Sequence, residues 1–347
     1  MRLSAQEQIL FAKRLALLHK AGVPILTALK LLKKQARSKA SIHIIDHLYT
    51  QVENGKHLST GMEKYKKVFG EFAVNIVRVG EISGTLSENL GYLAEELKKR
   101  QELKRKIVSA LIYPIFIVFA TIGIIILLVA YVFPKILPVF QTFKFQLPWA
   151  TRSLIAVTTG FGHFWPHILG GLSILIIAIF LLLRLNRIRV WFDRNLLRLP
   201  FLGRLLQNYQ IINSTRTLSL LLKSDVKIIE ALEIVADAST NLAYRQSFNS
   251  MAKKMTRGEK ISTSLENDEV LFPVILSGMV AIGEVTGKLS DALLYLAEMF
   301  EDELNDQTRN LTTSIEPVLM IFMGVLVGFI AISIITPIYN ITQNLRP

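Results

Sequence analysis

Gly80-Glu81-Ile82-Ser83-Gly84-Thr85-Leu86-Ser87-Glu88-Asn89-Leu90 returns 203 residues later as Gly283-Glu284-Val285-Thr286-Gly287-Lys288-Leu289-Ser290-Asp291-Ala292-Leu293. Six of the eleven positions are identical, and Ile82/Val285, Ser83/Thr286 and Glu88/Asp291 are conservative. The same offset pairs Val23 with Val226, Ala28-Leu29 with Ala231-Leu232, Gly55 with Gly258, Pro114 with Pro317 and Pro134 with Pro337, without a gap. A period this long means a duplicated domain rather than a solenoid of short repeats. Two intact copies present two similar surfaces, which points to a scaffold before it points to an enzyme.

Around the repeated stretch the apolar spacing is helical. Leu90, Leu93, Ala94 and Leu97 follow i, i+3, i+4, i+7, as do Leu293, Leu296, Ala297 and Phe300. Breaks fall at Ala21-Gly22-Val23-Pro24 and Lys223-Ser224-Asp225, then at Asn54-Gly55 and Arg257-Gly258. Strand signals are scarce. Each copy reads as an antiparallel bundle of about six short helices. Its last helix continues toward an apolar stretch, with a kink or boundary expected at Pro114 or Pro317.

Three stretches are long enough to cross a bilayer, which takes about 20 apolar residues in a helix. They are 107–133, 164–183 and 317–341, none with an internal Asp, Glu, Lys or Arg. The expected fold is an all-α membrane protein: two duplicated cytosolic six-helix bundles, 1–106 and 184–316, plus three transmembrane helices. Basic residues set the orientation. Lys98, Lys99, Arg100, Lys104, Arg105 and Lys106 precede the first stretch, and Arg184, Arg187, Arg189, Arg194 and Arg198 follow the second. The positive-inside rule then places both bundles and the N-terminus in the cytoplasm. The loop 134–163 and the short tail 342–347 fall outside, with Trp149 and Trp165 at the outer interface. No cleavable signal peptide is visible at the start.

Composition excludes several classes of function. Cysteine is absent, so disulfide, zinc-thiolate and Cys-nucleophile chemistry are excluded. The net charge of +13 is uneven: residues 1–106 carry 20 Lys/Arg against 10 Asp/Glu, residues 184–316 carry 16 against 17. A basic excess beside a membrane entry suits anionic lipid headgroups, and no direct nucleic-acid contact is expected. Gly283 to Ser290 superficially resembles a phosphate cradle, but it is one residue short of that motif, Leu289 stands where Ser or Thr should follow the Lys, and no strand precedes it. His43/His47 and His163/His167 have the i, i+4 spacing of metal ligands without an accompanying glutamate motif. The first pair reads as a solvated helix face and the second as interfacial. No catalytic, cofactor or metal site is expected.

Within the repeated element, Gly84 and Gly287 can supply the left-handed turn that ends one helix, and Leu86 and Leu289 can plug the core beneath it. Gly80 and Gly283 open the element. Glu81 and Glu284 have two readings: exposed carboxylates that grip a partner, or caps for neighbouring amides. At the membrane edge, Glu316 before Pro317 complements a helix N-terminus or makes a subunit contact; its repeat mate is Tyr113. Gly324 and Gly328 have the spacing of close helix packing in a membrane.

The duplicated blocks, the order of the spans and the Gly-Glu-x-[Ser/Thr]-Gly-x-Leu element in both copies resemble the inner-membrane platform family of type II secretion systems and type IV pili, the GspF/PilC group. The resemblance runs from about Phe11 to Ile341, and finer features look like the Gram-positive competence pseudopilus branch (ComGB-like). It implies a non-enzymatic role: contact with a cytoplasmic secretion or pilus-assembly ATPase, movement of pilin or pseudopilin subunits out of the bilayer, self-association, and service to DNA uptake. The metal site of some members' first block is not carried over, since its ligands find no match here. The rival class is a small polytopic transporter or channel, which the absence of charges inside the spans disfavours.

Overall fold

A computed structural model describes residues 3–127, 185–199 and 202–344, with scattered residues between 131 and 182. Most of the loop 134–163 and half of the second apolar stretch, with His163, Trp165 and the last three residues, lie outside the described residues. Among the described residues all regular structure is helical. The chain divides into two compact units, one of residues 1–107 and 189–307, the other of residues 108–188 and 308–347.

The first unit holds both copies of the block. In copy one, α1 (Ala5–Lys20), α2 (Ile25–Gln35), α3 (Lys39–Glu53), α4 (Leu58–Glu63), α5 (Lys66–Phe69) and α6 (Glu71–Ser83) lead into α7 (Leu86–Leu127). Copy two is preceded by α8 (Asn186–Leu196). It comprises α9 (Leu202–Lys223), α10 (Ile228–Ala238), α11 (Leu242–Met255), α12 (Ile261–Glu266) and α13 (Val274–Thr286), and leads into α14 (Leu289–Asn344). α2 and α10, α4 and α12, and α6 and α13 match end for end at the offset of 203, and α7 and α14 start in the same register.

Local chemistry explains the shared boundaries. Ser4 and Glu7 form a reciprocal capping box at the start of α1. Ser38 caps α3, and its mate Asn241 caps α11 by accepting from Ala243 and Tyr244. One element is not shared. α5 ends on Gly70 at φ +84°, a left-handed backbone whose mate is Pro273. Proline is locked near −65°, so copy two cannot end a helix there, and Pro273 instead stands before the first turn of α13.

The left-handed positions recur too: Gly55 with Gly258, Gly84 with Gly287, and Gly22 with Asp225 at φ 59°. Asp225 is the one non-glycine in that region among the described residues. Asp225→Gly is expected to stabilise copy two by about 1 kcal/mol, because only a Cβ makes this conformation costly. Thermal unfolding of the purified chain would show it as a small rise in Tm, and a fall would contradict it.

Both cores are aliphatic with aromatic fillers placed differently. Phe11 on α1 meets Phe69 at 5.6 Å in copy one. In copy two the mate of Phe11 is Ser214, and the rings come from α11: Tyr244 and Phe248 pack on Phe272 at 5.4 and 5.7 Å. The Tyr244 hydroxyl donates to the Leu271 carbonyl at 2.5 Å, and its full burial pushes its pKa well up.

The second unit contains the apolar parts of α7 and α14. α7 is long and apolar enough to cross a membrane, and 317–333 inside α14 is a shorter apolar stretch. Their large side chains are exposed, among them Phe116, Phe119, Ile321 and Val325. The Thr121 hydroxyl, itself buried, lies 3.2 Å from Met323 Sδ. The boundaries considered at Pro114 and Pro317 are absent, for both helices run through them. A proline inside a helix forfeits one backbone hydrogen bond, which long helices in apolar surroundings tolerate by local readjustment.

Candidate functional site

The repeated element and the contact between the two copies are the features that stand out. In the element, each residue type has a separate physical reason. Gly84 and Gly287 end α6 and α13 in the left-handed conformation, at φ 75° and 70°. Gly80 and Gly283 are needed for a different purpose. A Cβ at Gly80 would lie 2.9 Å from the Leu86 Cα, and one at Gly283 would lie 3.0 Å from the Leu289 Cα. The helices before and after the turn therefore touch backbone to backbone. Leu86 is buried beneath the turn, while Leu289 is half-buried.

Glu81 and Glu284 are engaged inside their own blocks. Glu81 accepts from the backbone N–H of Leu58 at 2.5 Å and of Ser59 at 3.0 Å, 23 and 22 residues upstream. Glu284 repeats this with Ile261 at 2.7 Å and Ser262 at 3.2 Å, and also accepts from the Ser262 hydroxyl at 2.6 Å. These amides begin α4 and α12, whose N-caps, His57 and Lys260, offer no side-chain cap. A glutamate from the next long helix thus fills the role usually taken by a local Ser, Thr, Asn or Asp, and its charge suits the positive helix end. Of the two readings of these glutamates, the geometry is that of the cap for neighbouring amides rather than of an exposed carboxylate: the Glu81 side chain is 8% exposed. The sequence carried a signal for this, a helix start lacking a cap residue and a glutamate 23 positions on, in both copies.

The other expected positions are less informative. Gly324 and Gly328 have no described atom within 4 Å of where a Cβ would stand, so close packing does not occur there within the chain's described residues. Pro317 is exposed, and the Glu316 side chain lies outside the described set. His43 is exposed, and His47 stacks edge-on against Tyr65 at 5.4 Å. Burial and the nearby Lys64 hold its pKa below the ordinary imidazole value. Among the described residues no cluster of His, Asp and Glu could hold a metal.

The contact between the copies was not foreseen from the sequence. α6 and α7 of copy one pack on α9 and α10 of copy two. At its centre Arg216 of copy two, 3% exposed, faces Glu96 of copy one, 1% exposed, at 3.9 Å, and it donates to Glu301 of its own copy at 2.6 Å. Arg100 donates to Glu96 at 2.7 Å and to the Thr217 hydroxyl, with its guanidinium 5.3 Å over the Phe72 ring. Lys106 donates to Asn305 at 3.0 Å and lies 3.9 Å from Glu301. The contact depends on divergence after duplication. Lys98, Lys99 and Arg100 on α7 stand in the register of Glu301, Asp302 and Glu303 on α14. One stem is basic where the other is acidic, so the two attract rather than repel.

Comparison with known sequences now decides the family. The family described as Type II secretion system (T2SS), protein F matches this chain twice, over residues 11–134 and 214–337, the same 203-residue offset that relates the helices. The chain belongs to that family. It is 34% identical over 340 residues to the type IV pilus assembly protein PilC of Thermus thermophilus, covering 97% of this chain and 82% of the relative. It is 31% identical over 346 residues to the type II secretion system protein F of Pseudomonas aeruginosa, covering 98% and 84%. A third relative, the type II secretion system protein F of Vibrio cholerae, is 29% identical over 342 residues, covering 98% and 84%. The family match covers both twin motifs and the helices that frame the contact between the copies.

Proposed function

We propose that this protein is the inner-membrane platform of a type II secretion or type IV pilus-like machine. It couples a cytoplasmic assembly ATPase to the assembly of pilin or pseudopilin subunits, serves competence and DNA uptake, and makes and breaks no covalent bonds itself. The supporting observation is the double family match on two blocks with the same helices, with the buried Arg216 of one facing the buried Glu96 of the other. Three spans, 107–133, 164–183 and 317–341, anchor the blocks 1–106 and 184–316 on the cytoplasmic side, with the C-terminus outside. The exposed apolar side chains of α7 and α14 suit lipid. A motor transmits work only to a body stiffer than its load. Two blocks locked by salt bridges supply such a body, and self-association in the bilayer enlarges it.

Purification in mild detergent from cells expressing the machine tests this. The assembly ATPase and pilin are expected to accompany the tagged chain. Their absence, together with solute flux through vesicles holding the chain alone, would establish a transporter or channel instead.

A further inference from the structure

The contact between the two copies is directional, and it leaves one unused half at each end. On copy two, Arg100 of α7 enters a pocket walled by Tyr209, Gln210, Asn213, Thr217 and Val235, leaving a cavity of only about 80 Å³. Stepping back 203 residues from those walls gives Gln6, Glu7, Leu10, Arg14 and Leu32. All but Gln6 line an open cleft of about 580 Å³ on copy one, with Phe11, Gln35 and Arg37. The receiving site therefore exists twice, and within the chain only the second is filled.

The inserting side also exists twice. On copy one, α6 and α7 present Phe72, buried to 3%, beside Arg100. On copy two the same register holds Ile275, 52% exposed, and Glu303, also exposed. The receiving helices show the same contrast. Ile234 on α10 is 5% exposed where its mate Leu31 on α2 is 39% exposed. Each surface buried in the contact has an uncovered apolar counterpart at the other end of the chain.

The charges at these free ends have changed places. In the filled contact a cation, Arg100, enters and a hydroxyl, Thr217, receives it. At the free ends the entering position is an anion, Glu303, and the Thr217 position is a cation, Arg14. Arg37 adds a second positive group at the cleft. The cleft's carboxylate, Glu7, is already satisfied by hydroxyl donation from Ser38 and Ser4, which hold its pKa below the usual value. Buried, paired charges of this kind fix register and exclude wrong pairings.

We propose that a second copy of this chain fills the open cleft. The face formed by α13 and α14 of one copy, with Ile275, Met299 and Glu303, docks onto α1 and α2 of the next, so that Glu303 meets Arg14. The contact repeats between chains what copy one already makes with copy two within a chain. It is heterologous, and such contacts close into rings or continue, according to the rotation they impose. It rests on the self-association included in the platform reading and names the surfaces that carry it.

Cross-linking in membranes tests it, and the cysteine-free sequence makes every introduced thiol informative. Lys13 and Met299 are the mates of Arg216 and Glu96, which face each other at 3.9 Å in the filled contact. Two differently tagged full-length chains, one with Lys13→Cys and the other with Met299→Cys, are co-expressed without ATPase or pilin and oxidised. A mixed cross-link is expected, and neither variant should yield it when expressed alone with both tags. Adding Arg14→Glu to the first chain, or Glu303→Arg to the second, should lower its yield at least tenfold, and both together should restore it. Copies that co-purify without the mixed cross-link, copies that do not associate, or a yield indifferent to the reversals would each overturn the proposal. If the cross-link persists in the Arg14→Glu chain and, in separate cells that express the machine, that chain no longer co-purifies with the ATPase, the proposal fails and the cleft belongs to that partner instead. Because no machine component is present during cross-linking, failure here leaves the platform role standing, and failure of co-purification leaves this contact standing.

Discussion

Arg216→Met is expected to destabilise the paired helical blocks by about 3 kcal/mol, the lower end of the range for removing one partner of a buried ion pair. The arginine is almost wholly enclosed and faces two carboxylates, Glu96 and Glu301. Glu96 is fully enclosed as well and would keep only Arg100; its second oxygen has no hydrogen-bond partner even in the intact protein. Glu301 is partly open to water, which softens its loss and places the effect at the lower end. For a unit of this size the fall in Tm is roughly 6–12 °C. Arg216→Lys should recover little of it, because an ammonium cannot span two carboxylates as a guanidinium fork does. Thermal unfolding of the full chain in detergent measures the shift. Limited proteolysis should show the copies separating before either unfolds. A Tm within about 2 °C of the parent would show that the pair contributes nothing net.

The second large effect belongs to the twin glutamates. Glu81→Ala leaves the N–H groups of Leu58 and Ser59 without acceptors, in residues that are almost fully buried. Each orphaned donor costs about 1–3 kcal/mol, so a loss of roughly 2–6 kcal/mol is expected. Glu284→Ala should cost at least as much, since Ser262 loses a partner for its hydroxyl too. Glutamine at either site keeps one acceptor oxygen and should recover about half. The two losses should add, because each cap serves its own block. Charge reversal at both sites would therefore act by unfolding the blocks. A Glu81→Ala, Glu284→Ala chain with unchanged Tm that nonetheless no longer co-purifies with the assembly ATPase and pilin would restore the partner-gripping role.

The period-3.6 pattern and the glycine breaks made the helices legible in the sequence, because those signals are local. Gly84 and Gly287 could be placed for the same reason: a left-handed helix end is a property of one residue. What could not be read depends on chain segments far apart. Glu81 reaches back across 23 residues to a helix start, and nothing in its neighbours distinguishes an exposed carboxylate from a cap. Gly80 had no turn to explain it in the sequence, because it is required by a backbone approach that arises only when two helices pack. The contact between copies was hidden because identity, not difference, draws attention in a repeat. Its determinants are the positions where the copies diverged, Lys98 against Glu301 and Arg100 against Glu303.

Carrying both blocks on one polypeptide changes the thermodynamics of the contact around Arg216. Two separate chains would have to find each other and lose translational freedom, whereas tethered partners meet at an effective concentration near the millimolar range. A pairing too weak to survive dilution as a bimolecular complex is then saturated at any expression level. Duplication thus makes every second joint of such an assembly independent of abundance, and only the joints between molecules remain to be set by how much protein the cell makes.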